Sequence, residues 1–424
     1  MTTLPLELIV EHVPLYLRRS DWNRLSVANR ECRQRLESKD NAPWPNDDFV
    51  LDVHHDTNNV NHEVNHQPVE GIEVNCLTVS PHNDGEWIAC ACNDGSIRLW
   101  DRRTGRRKVI ERNNVEDEEI TQLLFHPTNP NTLIALEYFG RILFFDDIRR
   151  QPIPAARSFP RHQEYDNPTS DMTISSDGER LATAATHLPS GTKRILIYSL
   201  NGNCPLLRYW SVDDDDGDDV EALVFDPLSS NGRYLASIQW MEDKITLWDL
   251  ETLDRGESTN NTDGDCPAHT VFRGKPNVPI WSTTIGRSSG EEDNKWSLLA
   301  GLCVDGSILV WELASNNSRN VSNLASKSLE ACNDESEVDA VAISPIKSHG
   351  KLIAAGYDDG RIELWKIRNN APSRVATMSC PEDHFRVSAN YGSSKYSNLF
   401  FTPDGRTIIA ADSTGHIYFR RVPL

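Results

Sequence analysis

The feature that most constrains the fold is a unit that recurs seven times between residue 74 and residue 424. Each copy holds an apolar-alternating strand, a strand of small residues, a tight turn and a strand that ends in an aromatic residue, as in "VNCLTVSPHNDGEWIACACNDGSIRLWD" (Val74 to Asp101). The closing aromatics are 45, 53, 50, 63, 54 and 54 residues apart: Trp100, Phe145, Tyr198, Trp248, Trp311, Trp365 and Phe419. One such unit cannot bury both faces of its own sheet, so the copies must stack on one another.

Two further patterns within the unit predict strands joined by hairpins. The second strands "IACAC" and "LIAAG" hold small residues, which suit the crowded inside of a stacked assembly. Asp-Gly pairs follow several of these strands, and glycine supplies the positive φ that a tight hairpin turn needs. The pairs are Asp94-Gly95, Asp305-Gly306 and Asp359-Gly360.

The repeated unit resembles the WD repeat over residues 48 to 424. In that family one unit makes a four-stranded antiparallel blade, and the blades close into a propeller. The resemblance therefore implies a mainly β, seven-bladed WD-repeat β-propeller. The chain departs from the family in lacking the Gly-His dipeptide before each first strand, and only the copies at Trp100 and Trp248 end in Trp-Asp.

The last copy reaches Leu424 directly after its third strand, so its fourth strand must come from elsewhere. The segment "DFVLDV", residues 48–53, lies before the first copy and has strand character. We expect it to pair with the strand that ends at Phe419, because this removes an open sheet edge and locks the ring.

Residues 1–47 differ from the rest because they read as short helices followed by a short linker. In "LPLELIVEHVPLYLRRSDWNRLSVANRECRQRL" (Leu4 to Leu36), Pro5 suits a helix start and Ser20 or Asp21 can cap a second helix. Helices of this length need a partner surface to be stable in water. One interpretation is that they pack on a blade of the propeller.

The same segment, residues 4 to 44, resembles an F-box through Leu4-Pro5, Leu25, "VANRECRQRL" and the trailing Trp44. The resemblance implies a helical hook that binds a Skp-type adaptor and, through it, a cullin–RING ubiquitin ligase, with the propeller holding a protein substrate. The alternative is a non-catalytic scaffold without a ubiquitin role. The residues expected to bind the adaptor are Leu4, Pro5, Leu8, Ile9, Leu25 and Leu36.

Charge and cysteine content narrow the classes of partner and compartment. With 63 acidic and 43 basic residues the formal net charge is −20, which argues against nucleic acid and anionic membranes as partners and favours proteins, in particular a basic segment. Nine cysteines without a CxxC pair, together with the absence of a signal-peptide pattern, predict reduced thiols in the cytoplasm or nucleus.

Two motifs suggest metal chemistry without fulfilling its requirements. "HEVNH" (His62 to His66) has zincin spacing, but its flanks favour a loop and no Gly-spaced third histidine follows. "DDDDGDD" (Asp213 to Asp219) lacks the spacing of a calcium loop. We find no catalytic set and no phosphate-binding glycine loop, so we expect no metal, no cofactor and no enzymatic activity.

The resemblance to WD propellers also places the loops that enter the first strand of each blade on the narrow face, which we call the entry face. Aligning the copies puts seven residues at equivalent positions on the rim of this face, and this rim is the candidate partner-binding site. The residues are Asn75, Thr121, Ser170, Glu221, Trp281, Asp339 and Ser397, and the copy with Trp281 is the least regular. The set contains carboxylates and no arginine, so it does not suit a phosphorylated partner. Trp281 is the candidate aromatic anchor.

Overall fold

We describe the protein from a computed structural model. It describes residues 48–52, 74–82, 85–102, 106–110, 119–138, 140–150, 153, 156–158, 165–201, 206–212, 219–226, 232–239, 241–251, 268–276, 278–289, 295–314, 327–329, 338–345, 351–357, 360–368, 371–379, 399–411 and 416–423. Residues 1–47, with the expected adaptor-binding residues, lie outside these ranges, and so does "HEVNH". In the described part of the chain no helix is long and apolar enough to cross a membrane.

The described residues form seven four-stranded antiparallel sheets, which we call blades 1 to 7. A single strand, β1 (Asp48–Asp52), precedes blade 1 in the chain. Blade 1 contains β2 (Val74–Val79), β3 (Trp87–Cys92), β4 (Ile97–Asp101) and β5 (Arg107–Ile110). Blade 2 contains β6 (Ile120–Phe125), β7 (Leu133–Glu137), β8 (Ile142–Phe145) and β9 (Arg157–Ser158). Blade 3 contains β10 (Tyr165–Ile174), β11 (Arg180–His187), β12 (Lys193–Ser199) and β13 (Leu206–Ser211).

The remaining blades follow the same order. Blade 4 contains β14 (Val220–Phe225), β15 (Tyr234–Gln239), β16 (Lys244–Asp249) and β17 (Ala268–Arg273). Blade 5 contains β18 (Ile280–Ser289), β19 (Lys295–Cys303), β20 (Ile308–Ala314) and β21 (Lys327–Leu329). Blade 6 contains β22 (Val338–Ile343), β23 (Lys351–Tyr357), β24 (Arg361–Arg368) and β25 (Ala371–Ser379). Blade 7 contains β26 (Leu399–Phe401), β27 (Thr407–Ala411), β28 (His416–Arg421) and, as its fourth strand, β1.

The ring closes through β1, which comes from the opposite end of the chain to the other strands of blade 7. It pairs antiparallel with β28, and Phe49 lies opposite Phe419. The sequence predicted a closing strand in this segment. Its pairing covers the edge of β28, which would otherwise present unpaired backbone groups.

The core is divided into seven apolar clusters, and each lies between two adjacent blades. The second strand of a blade supplies both neighbouring clusters, because its side chains alternate between the two faces of the sheet. In β3, Trp87 and Ala89 pack against blade 2, whereas Ile88 and Cys90 pack against blade 7. Burial of both faces explains why these strands read as continuous apolar runs.

The closing aromatics predicted from the repeat lie on the third strands. Six of them are at most 7% exposed: Trp100, Phe145, Tyr198, Trp248, Trp311 and Phe419. Trp365 on β24 is half-buried. Trp248 also donates its indole N–H to Ser237 Oγ at 2.8 Å. The aromatic side chains therefore act as spacers that fill the seams between blades.

The cysteines that the structure describes are free and buried: Cys76, Cys90, Cys92 and Cys303. Cys90 and Cys92 lie on the same side of β3, with their sulfur atoms 3.8 Å apart. Burial raises the pKa of the Cys303 thiol to about 11, so at neutral pH it is protonated and packs as a small apolar group.

A polar contact joins three blades at their first strands. Asp171 on β10 accepts a hydrogen bond from Gln122 Nε2 on β6 at 2.5 Å and another from the backbone N–H of Leu223 on β14 at 2.7 Å. Gln122 Oε1 in turn accepts the N–H of Met172 at 2.6 Å. One carboxylate thus satisfies donors of blades 2 and 4 from its place in blade 3.

We predict that Asp171→Ala lowers the free energy of unfolding by about 2 kcal/mol, because it leaves an amide N–H of each neighbouring blade without its acceptor. Chemical denaturation monitored by tryptophan fluorescence measures the change. The matched control is Asp177→Ala, since Asp177 accepts hydrogen bonds from Ser175 and Glu179 of its own loop. An equal loss in both variants would contradict a special role for the contact between blades.

Candidate protein-binding face

The direction of the strands defines what lies on the entry face. The first strand of each blade begins there, and the chain returns at the end of the second strand because neighbouring strands are antiparallel. The turns between second and third strands therefore lie on the same face as the starts of the first strands. The loops between first and second strands lie on the opposite face, which we call the exit face.

Five of the predicted rim residues occupy one structural position. In blades 1, 2, 4, 5 and 6, the pairing of the first and second strands shifts register across a single residue near the start of the first strand. Such a bulge leaves one residue unpaired and increases the local twist. The residues at this position are Asn75, Thr121, Glu221, Trp281 and Asp339.

The rim residues are more buried than their position on the entry face suggests. Asn75, Thr121 and Glu221 are at most 9% exposed, and Asp339 is half-buried. Thr121 donates its hydroxyl to the carbonyl oxygen of Leu136 at 3.2 Å within blade 2. The side chain of Trp281 and all of Ser397 lie outside the described residues. A partner-binding role for this rim stays a prediction, and a partner would first meet side chains that project beyond it.

Exposed carboxylates lie directly before the first strands. Glu119 precedes β6 and Asp219 precedes β14, and both side chains are exposed. Asp219 pairs with Lys193 Nζ at 2.5 Å. Asp94 and Asp305, in the turns of blades 1 and 5, are also exposed on this face, so a partner can reach several carboxylates there.

The chain segments that lead into blades 2, 4 and 6 concentrate the negative charge of the protein. Residues 111–119 hold five acidic residues and one arginine, 213–219 hold six aspartates, and 330–337 hold four acidic residues without a base. Together they carry a formal charge of −14, against −20 for the whole chain. The two described ends of these segments, Glu119 and Asp219, lie on the entry face and add negative charge there.

The turns between second and third strands have an ordered geometry. In blade 1, Gly95 takes a φ of 78° and donates its N–H to the carbonyl of Cys92 at 3.0 Å. Asp94 Oδ1 accepts the N–H of Ser96 at 2.9 Å. Burial raises the pKa of Asp94, but the hydrogen bonds from Ser96 and Arg98 outweigh it and the pKa is lowered. Asp305 and Ser307 repeat the arrangement in blade 5.

We predict that Asp305→Asn destabilises the fold at neutral pH by less than about 1 kcal/mol, because the carboxylate is partly exposed and its interactions are screened. The pKa of Asp305 is lowered in the fold, by hydrogen bonds from Ser307 and Lys275 that outweigh burial. Its contribution is therefore present above the unfolded pKa, near 3.8, and is lost as pH falls through the lower folded value.

Thermal unfolding of wild type and Asp305→Asn at a series of pH values tests this. The difference in Tm should be constant between pH 7 and pH 5 and should shrink below about pH 4. Asp146→Asn, with an exposed carboxylate on the exit face, is the control. A Tm difference that persists unchanged at the acidic end would mean that the charge of Asp305 does not stabilise the turn.

The exit face carries a ladder of histidines that sequence reasoning missed. His82 of blade 1 donates from Nε2 to the carbonyl of His126 at 2.9 Å, and His126 of blade 2 donates from Nε2 to the carbonyl of Gly178 at 3.0 Å. Burial lowers the pKa of His126. The signal in the sequence is a histidine in the loop after each of two successive first strands.

A cavity of about 260 Å³ lies between blades 3 and 4 and is lined by Arg180, Ile197, Leu207, Arg208 and Leu250. Arg180 begins β11 and Leu250 follows β16, so the cavity opens toward the exit face, away from the predicted rim. Among the residues that the structure describes, no group of three histidine, cysteine or acidic side chains could hold a metal ion.

Comparison with known proteins agrees with this architecture. Residues 63–101 match the family model described as WD domain, G-beta repeat. The chain is a seven-bladed propeller with a WD repeat. The curated protein "Target of rapamycin complex subunit wat1" of Schizosaccharomyces pombe is 30% identical over 116 residues, which cover 26% of this chain and 33% of that protein. The match thus spans about a third of the relative.

Solved structures resemble the chain over most of its length. A chain in "Crystal Structure of Mitotic Checkpoint Complex" has a TM-score of 0.57 at 16% identity, covering 89% of this chain and 95% of its own. "Structure of U3-55K" has a TM-score of 0.56 at 14% identity, covering 89% and 98%. At such identities the likeness shows the fold alone.

Proposed function

We propose that the protein is a non-catalytic interaction subunit, acting in the cytoplasm or nucleus, whose propeller binds a basic protein segment on the entry face. The observation that carries the proposal is the concentration of negative charge in the segments leading into blades 2, 4 and 6, whose described ends include Glu119 and Asp219. Such a field raises the rate of encounter with a basic partner. It does not suit nucleic acid or an anionic membrane.

More specifically, we propose that residues 4 to 44 bind a Skp-type adaptor and connect the propeller to a cullin–RING ubiquitin ligase. The protein bound on the entry face would then be a substrate for ubiquitin transfer. This step rests on the sequence pattern of Leu4-Pro5, Leu25 and Trp44. The adaptor would contact the apolar side chains of Leu8, Ile9 and Leu36 in addition.

A second candidate is a scaffold without a ubiquitin role, with its N-terminal helices packed on the propeller. The observation that favours it is the 30% identity to a protein named as a target of rapamycin complex subunit. The two candidates differ in what residues 1–47 bind, and they share a protein-binding propeller.

Co-purification separates the two candidates. We predict that the full chain recovers a Skp-type adaptor and that Leu8→Asp with Leu25→Asp abolishes recovery, because a charge in an apolar helix–groove contact is costly. Thr2→Asp with Thr3→Asp is the control, since it adds the same two negative charges just before the segment. Equal adaptor recovery from wild type, the double variant and residues 46–424 would end the ubiquitin-ligase proposal and leave the scaffold.

A charge reversal tests the entry face itself. We predict that Glu119→Lys with Asp219→Lys slows association with a basic partner about ten-fold at low salt and flattens the salt dependence of the rate. The matched control is Asp146→Lys on the exit face, whose side chain is 55% exposed against 58% for Asp219. Stopped-flow fluorescence measures both rates. Unchanged association in the double variant would contradict the acidic entry face.

A further inference from the structure

Exposed apolar side chains cluster in one kind of turn. The structure describes seven large apolar residues that are exposed, and four of them lie in the turn between the second and third strands of a blade. These four are 53% to 62% exposed and belong to the consecutive blades 2, 3, 4 and 5. We call them the apolar arc: Tyr138, Leu188, Met241 and Val304.

The apolar arc covers one side of the ring. Tyr138, Leu188 and Val304 directly follow the second strand of their blades, and Met241 is the second residue after β15. In the other three blades the residue directly after the second strand is polar: Asn93 in blade 1, Asp358 in blade 6 and Asp412 in blade 7. A turn residue on the face of a propeller contributes nothing to the seams between blades, so the core does not require an apolar side chain there. Four neighbouring turns with large apolar residues therefore need another cause.

Met241 gives independent support because its backbone is unfavourable for its side chain. It is the one non-glycine residue with a positive φ, 59°, in the described part of the chain. In the described turns of five other blades a glycine takes a φ between 71° and 83°: Gly95, Gly140, Gly191, Gly306 and Gly360. A side chain in the left-handed region costs about 1–2 kcal/mol, and such strain concentrates at functional sites.

The charges around the apolar arc indicate its occupant. Blades 2 and 4, which carry Tyr138 and Met241, are also entered by the acidic segments 111–119 and 213–219. The basic side chains beside the apolar arc are engaged with carboxylates: Arg141 with Glu137, Lys193 with Asp219 and Lys275 with Asp305. A partner that combines apolar with basic side chains would satisfy both features, whereas an acidic partner would meet like charge.

We propose that the apolar arc is the docking site for a segment of a partner protein that carries bulky apolar side chains among basic ones. The proposal deepens the proposed function, because it assigns the residues of the entry face that hold the basic segment. The acidic segments raise the encounter rate, and the apolar arc sets the lifetime of the complex.

The test uses the full chain and a fluorescein-labelled amphipathic peptide built of Lys and Leu. The turn variant replaces all four residues of the apolar arc by Ser, and the matched control replaces Leu207, Val271 and Val375 by Ser. These control residues are also exposed, at 39% to 52%, but lie on the outer strands β13, β17 and β25. Fluorescence anisotropy gives Kd, and Tm verifies that each variant is folded.

The turn variant should bind the Lys/Leu peptide about ten-fold more weakly than wild type, while the control variant binds it unchanged. Wild type should also prefer this peptide to a Lys/Ser peptide and to a Glu/Leu peptide. Equal weakening in both variants, or no preference among the three peptides, would overturn the apolar arc as a site. If a native partner is still recovered and still responds to Glu119→Lys with Asp219→Lys, the proposed function stands without the arc.

The variant Met241→Gly provides a second test, whose expected result cannot be explained by loss of folding. Glycine takes the left-handed conformation without strain, so the variant should unfold at the same or a higher Tm while binding the Lys/Leu peptide more weakly. Weaker binding in a more stable protein supports docking on Met241. Unchanged binding removes Met241 from the site, and with it the argument from strain.

Discussion

The apolar contacts between neighbouring blades are the interaction on which the ring depends. Among the described residues no blade has a core of its own, since each of the seven clusters is shared by two sheets. Burial of one Leu or Ile side chain contributes about 1.5–3 kcal/mol to the free energy of unfolding. A closed ring has no terminal blade whose loss would expose only one seam. Removal of any blade exposes two seams, so all seven must form together. The pairing of β1 with β28 joins the two ends of the chain into this cooperative unit.

Polar contacts across the seams set the registration of the blades. Apolar packing is non-directional, whereas the hydrogen bonds of Asp171 to Gln122 and Leu223 fix how the first strands of three blades sit beside one another. His82 and His126 do the same at the exit face between blades 1, 2 and 3. At Gly178 an added Cβ would lie 2.3 Å from Cε1 of His126, so this glycine permits the close approach of the two loops.

The repeat predicted the strands well because its signals are local. Alternation, small residues before an Asp-Gly turn and an aromatic at the end of each third strand all lie within one unit, and the copies reinforce one another. The same alignment located the five bulge residues from Asn75 to Asp339. Their burial could not be read from the alignment, since it depends on how far the neighbouring strands and turns extend. Asp171 was missed for the same reason, because its partners are about fifty residues away on either side.

Stability and recognition make different demands on the two parts of a blade. Strand residues pack into the seams on both sides of a blade, so a change in side-chain volume affects the packing of two blades. Turn residues on the entry face have only backbone requirements, which Asp and Gly meet in blades 1 and 5 with their side-chain and backbone hydrogen bonds. The composition of the turns is therefore free to follow what the surface binds. Met241 is where the two demands conflict, since the turn requires a left-handed residue and the position holds a large apolar one. The fold can carry that strain because the seams on both sides of blade 4 hold the turn in place.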